Sequence, residues 1–95
     1  MFLVSLTYNC PLEEVDTLLD AHVAYLKKEY ANGNFIASGR KVPRTGGIIL
    51  SRVQTKSELE TILAKDPFNQ AGIAEYEITQ FIPSMVAEGF EILQE

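Results

Sequence analysis

The first eight residues carry apolar groups at both alternating sets of positions. Phe2, Val4, Leu6 and Tyr8 fill one face of a strand over residues 1–8, while Met1 and Leu3 place apolar groups on the other. Asn9-Cys10-Pro11 stops this strand and starts a helix. Pro11 suits the first helical position, and Glu13 and Glu14 suit the positive end of the helix dipole. The spacing then becomes helical. Val15, Leu18, Leu19, His22, Leu26 and Tyr30 recur in steps of three and four residues, which predicts an amphipathic helix to about residue 31, closed by Asn32-Gly33. Residues 35–41 read as a second strand, residues 42–47 as a turn, and residues 48–53 as a third strand in which Ile48 and Leu50 oppose Ile49 and Val53. Ser57-Glu58-Leu59-Glu60 is a capping box that opens a short helix to about residue 65. Asp66-Pro67 begins a further helical turn over residues 67–71, closed by Gly72. Ala74, Tyr76, Ile78, Gln80 and Ile82 then alternate with Glu75, Glu77, Thr79 and Phe81 as a fourth strand. After Pro83, Ser84 caps an amphipathic tail with Val86, Phe90 and Leu93 on one side.

This order, β-α-β-β-α-β plus a tail, predicts an α+β fold of ferredoxin-like type, an antiparallel sheet with both helices on one face. Strands apolar on both faces need cover on both. Two helices cover one face, and a second subunit is the simplest cover for the other. The expectation is therefore a homodimer with sheets facing each other, against the plainer alternative of a monomer with a mildly apolar exposed sheet. A chain of 95 residues with 46% hydrophobic content has room for one core and is too apolar for disorder, so a single domain over 1–95 is expected, with its core in residues 1–83. Eight basic and thirteen acidic residues give a net charge of −5, which disfavours nucleic acid or an anionic membrane as partner. An anionic ligand would need a local basic pocket. The N-terminal stretch has no basic leader region or cleavage site and is too short to span a bilayer. Cys10 is the only cysteine, so no internal disulfide forms. Together these features lead to the expectation of a cytoplasmic protein.

The candidate chemistry starts from His22, the one histidine, on the apolar stripe of the long helix. Histidine changes charge near physiological pH, so here it is either a packed group with one nitrogen bonded to backbone or a general acid/base at a cavity wall. Asp66, directly before Pro67, reads first as the cap of its helical turn. A capping carboxylate can also orient an imidazole with its other oxygen, which would make the far ring nitrogen more basic. The two residues lie 44 positions apart, and spacing alone does not bring them together. In Ser38-Gly39-Arg40, Gly39 suggests a bulge or a close approach of ligand, Ser38 a hydrogen-bond donor into a cavity, and Arg40 a fork for an anion. The plain alternative is a solvated strand end. Tyr8 can offer a phenol or simply pack with a wet tip. Cys10 lies near a helix N-terminus, which can lower a thiol pKa, although a bystander role fits it better. No phosphate loop, metal-ligand cluster or nucleophile elbow is present, so neither metal nor cofactor is expected.

The ordered set of Ala21-His22-Val23-Ala24-Tyr25-Leu26, Gly33, Ser38-Gly39, Gly46-Gly47 and Asp66-Pro67-Phe68 with Ala71-Gly72 resembles the YCII-related (YciI-like) family. The resemblance covers nearly the whole chain, from the first strand to about residue 83. It implies a dimeric α+β barrel of ferredoxin-like subunits and a histidine–aspartate pair in a cavity, carried over to His22 and Asp66. Ser38 carries over as a cavity-lining residue. One related member removes chloride from a chlorinated aromatic, and muconolactone isomerases share the barrel. The implied activity is cofactor-independent proton transfer on a small aromatic or anionic molecule, of lyase, isomerase or dehalogenase type. The alternative is a non-catalytic ligand-binding or structural dimer. Two departures mark this chain: Leu19 stands where many members carry arginine, and Arg40 where many carry proline.

Overall fold

A computed structural model describes residues 1–95. Along the chain lie β1 (Phe2–Tyr8), α1 (Leu12–Ala31), β2 (Phe35–Arg40), β3 (Gly46–Ser51), α2 (Lys56–Leu63), α3 (Pro67–Gln70) and β4 (Ala74–Gln80). The strands form one sheet in the order β2-β3-β1-β4, with every neighbouring pair antiparallel. This is the ferredoxin-like α+β arrangement expected. No helix is long and apolar enough to cross a membrane.

The strand register decides which side chains face the helices, because directly paired residues share a face of the sheet. Val4 pairs with Ile49 and with Ile78, and Ile49 pairs with Ser38. Leu6 pairs with Gly47 and with Tyr76, and Gly47 pairs with Arg40. Phe2, Val4, Leu6 and Ile49 join Val15, Tyr25, Leu59, Leu63 and Phe68 in one buried core, so these rows form the helix-covered face. Ser38, Arg40 and Tyr76 therefore share that face. Leu3, Ile48 and Leu50 point to the other face and remain half-buried, beside the exposed Glu75, Glu77 and Thr79.

Several local expectations shift. Pro11 is the cap of α1 rather than its first residue. The buried stripe of α1 is Val15, His22, Tyr25 and Glu29, rotated toward Tyr25, while Tyr30 sits at the exposed margin. The carboxylate of the buried Glu29 accepts from the side-chain amide of Asn34 at 2.9 Å. The cap of α2 is Thr55, whose hydroxyl accepts from the Glu58 amide at 3.2 Å. Ser57 lies inside the helix, where its carbonyl accepts from the Thr61 hydroxyl. The cap thus lies two residues before the Ser57 that the sequence suggests. The strand irregularity in β2 falls between Phe35 and Ala37, not at Gly39.

β3 begins at Gly46 and ends at Ser51, two residues earlier at each end than expected. Gly46 is strand rather than turn because β1 passes against it. A Cβ there would lie 1.7 Å from the Leu6 carbonyl oxygen, so only glycine fits. The tail departs most. Residues 81–95 form no amphipathic helix beyond a single 3-10 turn at Glu91–Leu93. Phe81, Ile82, Met85, Phe90 and Ile92 are exposed. A short helix is held mainly by packing of its apolar face, and here that face is divided: Val86 and Leu93 are half-buried without a helix, while Phe90 is exposed.

Candidate active site

The site is built at the start of α3. Residues before proline are pushed out of the helical region, and Asp66 adopts the extended backbone that a cap requires (φ −64°, ψ 126°). Its Oδ1 accepts the Phe68 amide at 3.0 Å. The same oxygen lies 2.7 Å from His22 Nδ1, presented by α1. Cap and imidazole partner thus share one oxygen, rather than dividing the two between them as the sequence suggests. The second oxygen, Oδ2, accepts the Tyr76 hydroxyl of β4 at 2.5 Å. Three donors from three elements converge on a carboxylate that is 0% exposed. An ionised carboxylate is acceptor-only and suits this set with Nδ1 as the donor, and Nε2 is the ring nitrogen without a partner in the chain.

Packing fixes the ring as firmly as hydrogen bonding does. His22 is stacked on Phe68, with ring centroids 3.9 Å apart and planes 7° apart. Tyr8 meets the same Phe68 edge-on at 5.8 Å. Tyr25 stands 6.3 Å from His22 and sends its hydroxyl away, to the Ile62 carbonyl at 2.8 Å. His22 is only 9% exposed. Nevertheless Nε2 has no partner within the chain, and no buried side-chain nitrogen or oxygen lacks one, so Nε2 opens to solvent.

The opening leads into a cleft of about 540 Å³ between α1 and the sheet, within the size range of small-molecule sites. His22, Phe68, Tyr8, Ser38 and Arg40 all line it. The five site residues named from the sequence therefore divide in two. Asp66 stands behind His22 and does not line the cleft; the other four do. Ser38 Oγ lies 2.6 Å from the Tyr30 hydroxyl of α1. Arg40 takes part in none of the chain's ion pairs and is exposed.

Other lining residues carry chemistry that the sequence does not single out. Arg44, from the loop before β3, donates to Asp16 of α1 at 2.6 Å across the mouth of the cleft. Burial pushes the Tyr8 phenol above its usual value, and the Arg44 guanidinium opposes this. The hydrogen bond to Asp16 holds the Arg44 proton still more firmly. Asp16 sits off the apolar stripe and Arg44 in a turn, so neither stands out from periodicity. Tyr76 does appear on the inward set of its strand, but its hydroxyl partner depends on α3 docking over β4. No group of three or more histidine, cysteine, aspartate or glutamate side chains converges to hold a metal. The Cys10 thiol is pushed up by desolvation and by Glu14, the direction opposite to activation, and it lies 3.9 Å from the Ile73 carbonyl.

Comparison with known proteins agrees with this architecture. A solved structure of 5-chloro-2-hydroxyhydroquinone dehydrochlorinase from Burkholderia phenoliruptrix AC1100, in complex with 2,5-dihydroxybenzoquinone, superposes with a TM-score of 0.71. It is 19% identical over 85% of this chain and 93% of that one, a likeness of fold. No curated protein sequence matches the chain. The sequence profile of the YCII-related domain matches residues 1–82, and the chain belongs to that family.

Proposed function

We propose that the protein is a small-molecule enzyme in which Asp66 orients His22 and His22 Nε2 moves a proton on a ligand held in the cleft. The observation that carries this reading is the unpartnered Nε2, open to the cleft while the opposite ring nitrogen is tied to a fully buried carboxylate. A packed histidine would stack on Phe68 equally well, but it would have no need of that opening. Tyr8 and Ser38 supply hydroxyls to the ligand, and Arg40 supplies a charge for an anionic group. The similar fold that binds a dihydroxybenzoquinone supports a small oxygenated ring as ligand. Loss of hydrogen chloride from a chlorinated ring of this kind proceeds from its keto tautomer, in which the carbon bearing chlorine also bears hydrogen: a base takes a ring-hydroxyl proton, and the electron pair released passes through the ring to expel chloride and leave a quinone; His22 suits that base without a cofactor. We further propose a homodimer that buries the helix-free face around Leu3, Ile48 and Leu50, together with a cytoplasmic setting that leaves Cys10 reduced.

The test is chloride release from 5-chloro-2-hydroxyhydroquinone alongside binding of 2,5-dihydroxybenzoquinone. The parent is expected to release chloride, and His22→Gln to do so at least about 100-fold more slowly while still binding the quinone. Equal rates in the two proteins would remove His22 from the chemistry. Binding without turnover by the parent would leave a ligand-binding protein.

A further inference from the structure

Tyr76 stands outside the ligand cleft but touches the group that governs the histidine. It belongs to β4, pairs with Leu6, and lines a separate hollow with Lys56, Glu60 and Asn69. From that side its hydroxyl reaches Asp66 Oδ2 at 2.5 Å. The Phe68 amide pins Oδ1 alone and would still allow the carboxylate plane to turn about its bond to Cβ. A second donor on Oδ2, coming from a different element, removes that freedom. Burial, followed by the bond to Asp66, pushes the Tyr76 phenol well above its ordinary value, so it remains a donor at any physiological pH.

We infer that Tyr76 is a positioning residue for His22: by occupying Oδ2 of Asp66, it sets both the plane of the carboxylate and how strongly Oδ1 accepts from Nδ1. This rests on the Asp66–His22 pairing proposed above. A carboxylate shares its electron density between its oxygens, so two donors that converge on it compete and each weakens the other. Charge drawn toward the phenol at Oδ2 is charge not offered to the imidazole at Oδ1. Tyr76 thereby tunes the basicity of a nitrogen it never touches.

His22 is the only histidine, so ring-labelled histidine gives a single set of nitrogen resonances and one Nδ1-bound proton. Three proteins are compared by NMR: the parent, Tyr76→Phe, and a form with 3-fluorotyrosine placed at position 76 alone. The phenylalanine variant removes the donor, and the Nδ1 proton is expected to move downfield as Oδ1 becomes the stronger acceptor. The fluorinated phenol is a better donor of nearly the same shape, and the proton is expected to move upfield. Opposite shifts from two substitutions at one position are not produced by a tyrosine that merely fills space. An unchanged resonance, or shifts of the same sign, would overturn the inference while leaving the pair intact. A parent ring protonated on Nε2 alone would overturn the pair and the inference together. Should the phenylalanine variant not fold, the fluorinated form, which keeps every contact, decides by the sign of its shift.

Discussion

The two ends of the cleft are made of different material. At the floor, His22 and Phe68 are buried and stacked, Asp66 bonds the histidine from behind, and only Nε2 of the ring is left free. At the rim, Arg40 is exposed and unpaired, and Arg44 and Asp16 hold one another across the mouth with water beside both. Electrostatic interactions strengthen as water is excluded, so the floor is where orientation and charge count for chemistry. Exposed ion pairs contribute little to stability and act chiefly on which ligands enter. Floor substitutions should therefore cost folding and catalysis together, whereas rim substitutions should change ligand preference and leave the fold intact.

Phe68→Ala breaks this contrast most severely. Its ring is fully buried, supports the His22 imidazole on its face and meets Tyr8 at its edge. Truncating a buried phenylalanine costs about 3–5 kcal/mol in cavity and transfer terms. A denaturant melt is expected to show a loss of that order, a large part of the stability of a domain this size. At temperatures where the variant still folds, the imidazole loses its stacking partner, and under the proposed function chloride release is expected to slow as well. A variant as stable as the parent would mean that the floor is not the rigid element described.

The floor was also the part most legible in the sequence. His22 falls on an apolar stripe, and Asp66 precedes Pro67 in a turn that only a short capped helix explains. Capping is a local interaction, and local interactions can be read locally. That the capping oxygen also faces an imidazole 44 residues away is a tertiary fact, and family resemblance supplied what periodicity could not. Tyr76 was visible as an inward strand position, but the path of its hydroxyl to Asp66 was not. The rim was nearly illegible. Arg44 and Asp16 lie in a turn and on a solvated helix face, where ordinary sequences place charges without purpose. The tail misled because amphipathic spacing reports a face that could be buried, not that a helix must present it: Val86 and Leu93 are half-buried without one.

A weaker effect separates the buried phenols around the His22–Asp66 pair from the rest of the chain. Tyr25 and Tyr76 are both held above the usual tyrosine value of 10.0, chiefly by burial. Below that value the folded and unfolded chains both keep the protons, and stability does not depend on them. As pH rises past 10.0, the unfolded chain releases phenolic protons that the folded chain retains, so stability must fall. The slope is at most about 1.4 kcal/mol per pH unit for each phenol, less for any part of the ring that water reaches. Urea melts between neutral and strongly alkaline pH are expected to be flat at first and then to fall, with a shallower fall in Tyr76→Phe. An equal slope in that variant would mean that Tyr76 titrates normally and that its surroundings are wetter than their geometry implies.

The smallest expected effect lies at the rim and tests whether it is electrically active at all. Burial raises the Tyr8 phenol, and the Arg44 cation partly offsets that rise by favouring the phenolate. Arg44→Gln removes the offset and also unmasks Asp16, whose negative charge acts in the same upward direction. Tyr8 is therefore expected to titrate at higher pH in Arg44→Gln than in the parent, and at nearly the parent value in Arg44→Lys. Near-ultraviolet phenolate absorbance follows the titration, with Tyr8→Phe identifying the contribution of Tyr8 among the four tyrosines. The melting temperature should stay where it is, because the pair between Arg44 and Asp16 is open to solvent on both sides. Added salt should shrink the difference between parent and variant, as it does for any charges that water can reach. A drop in melting temperature without a change in Tyr8 would make Arg44 a structural brace for the turn before β3. A higher Tyr8 titration at constant stability would instead leave a rim that sets the charge of the cleft without contributing to the fold.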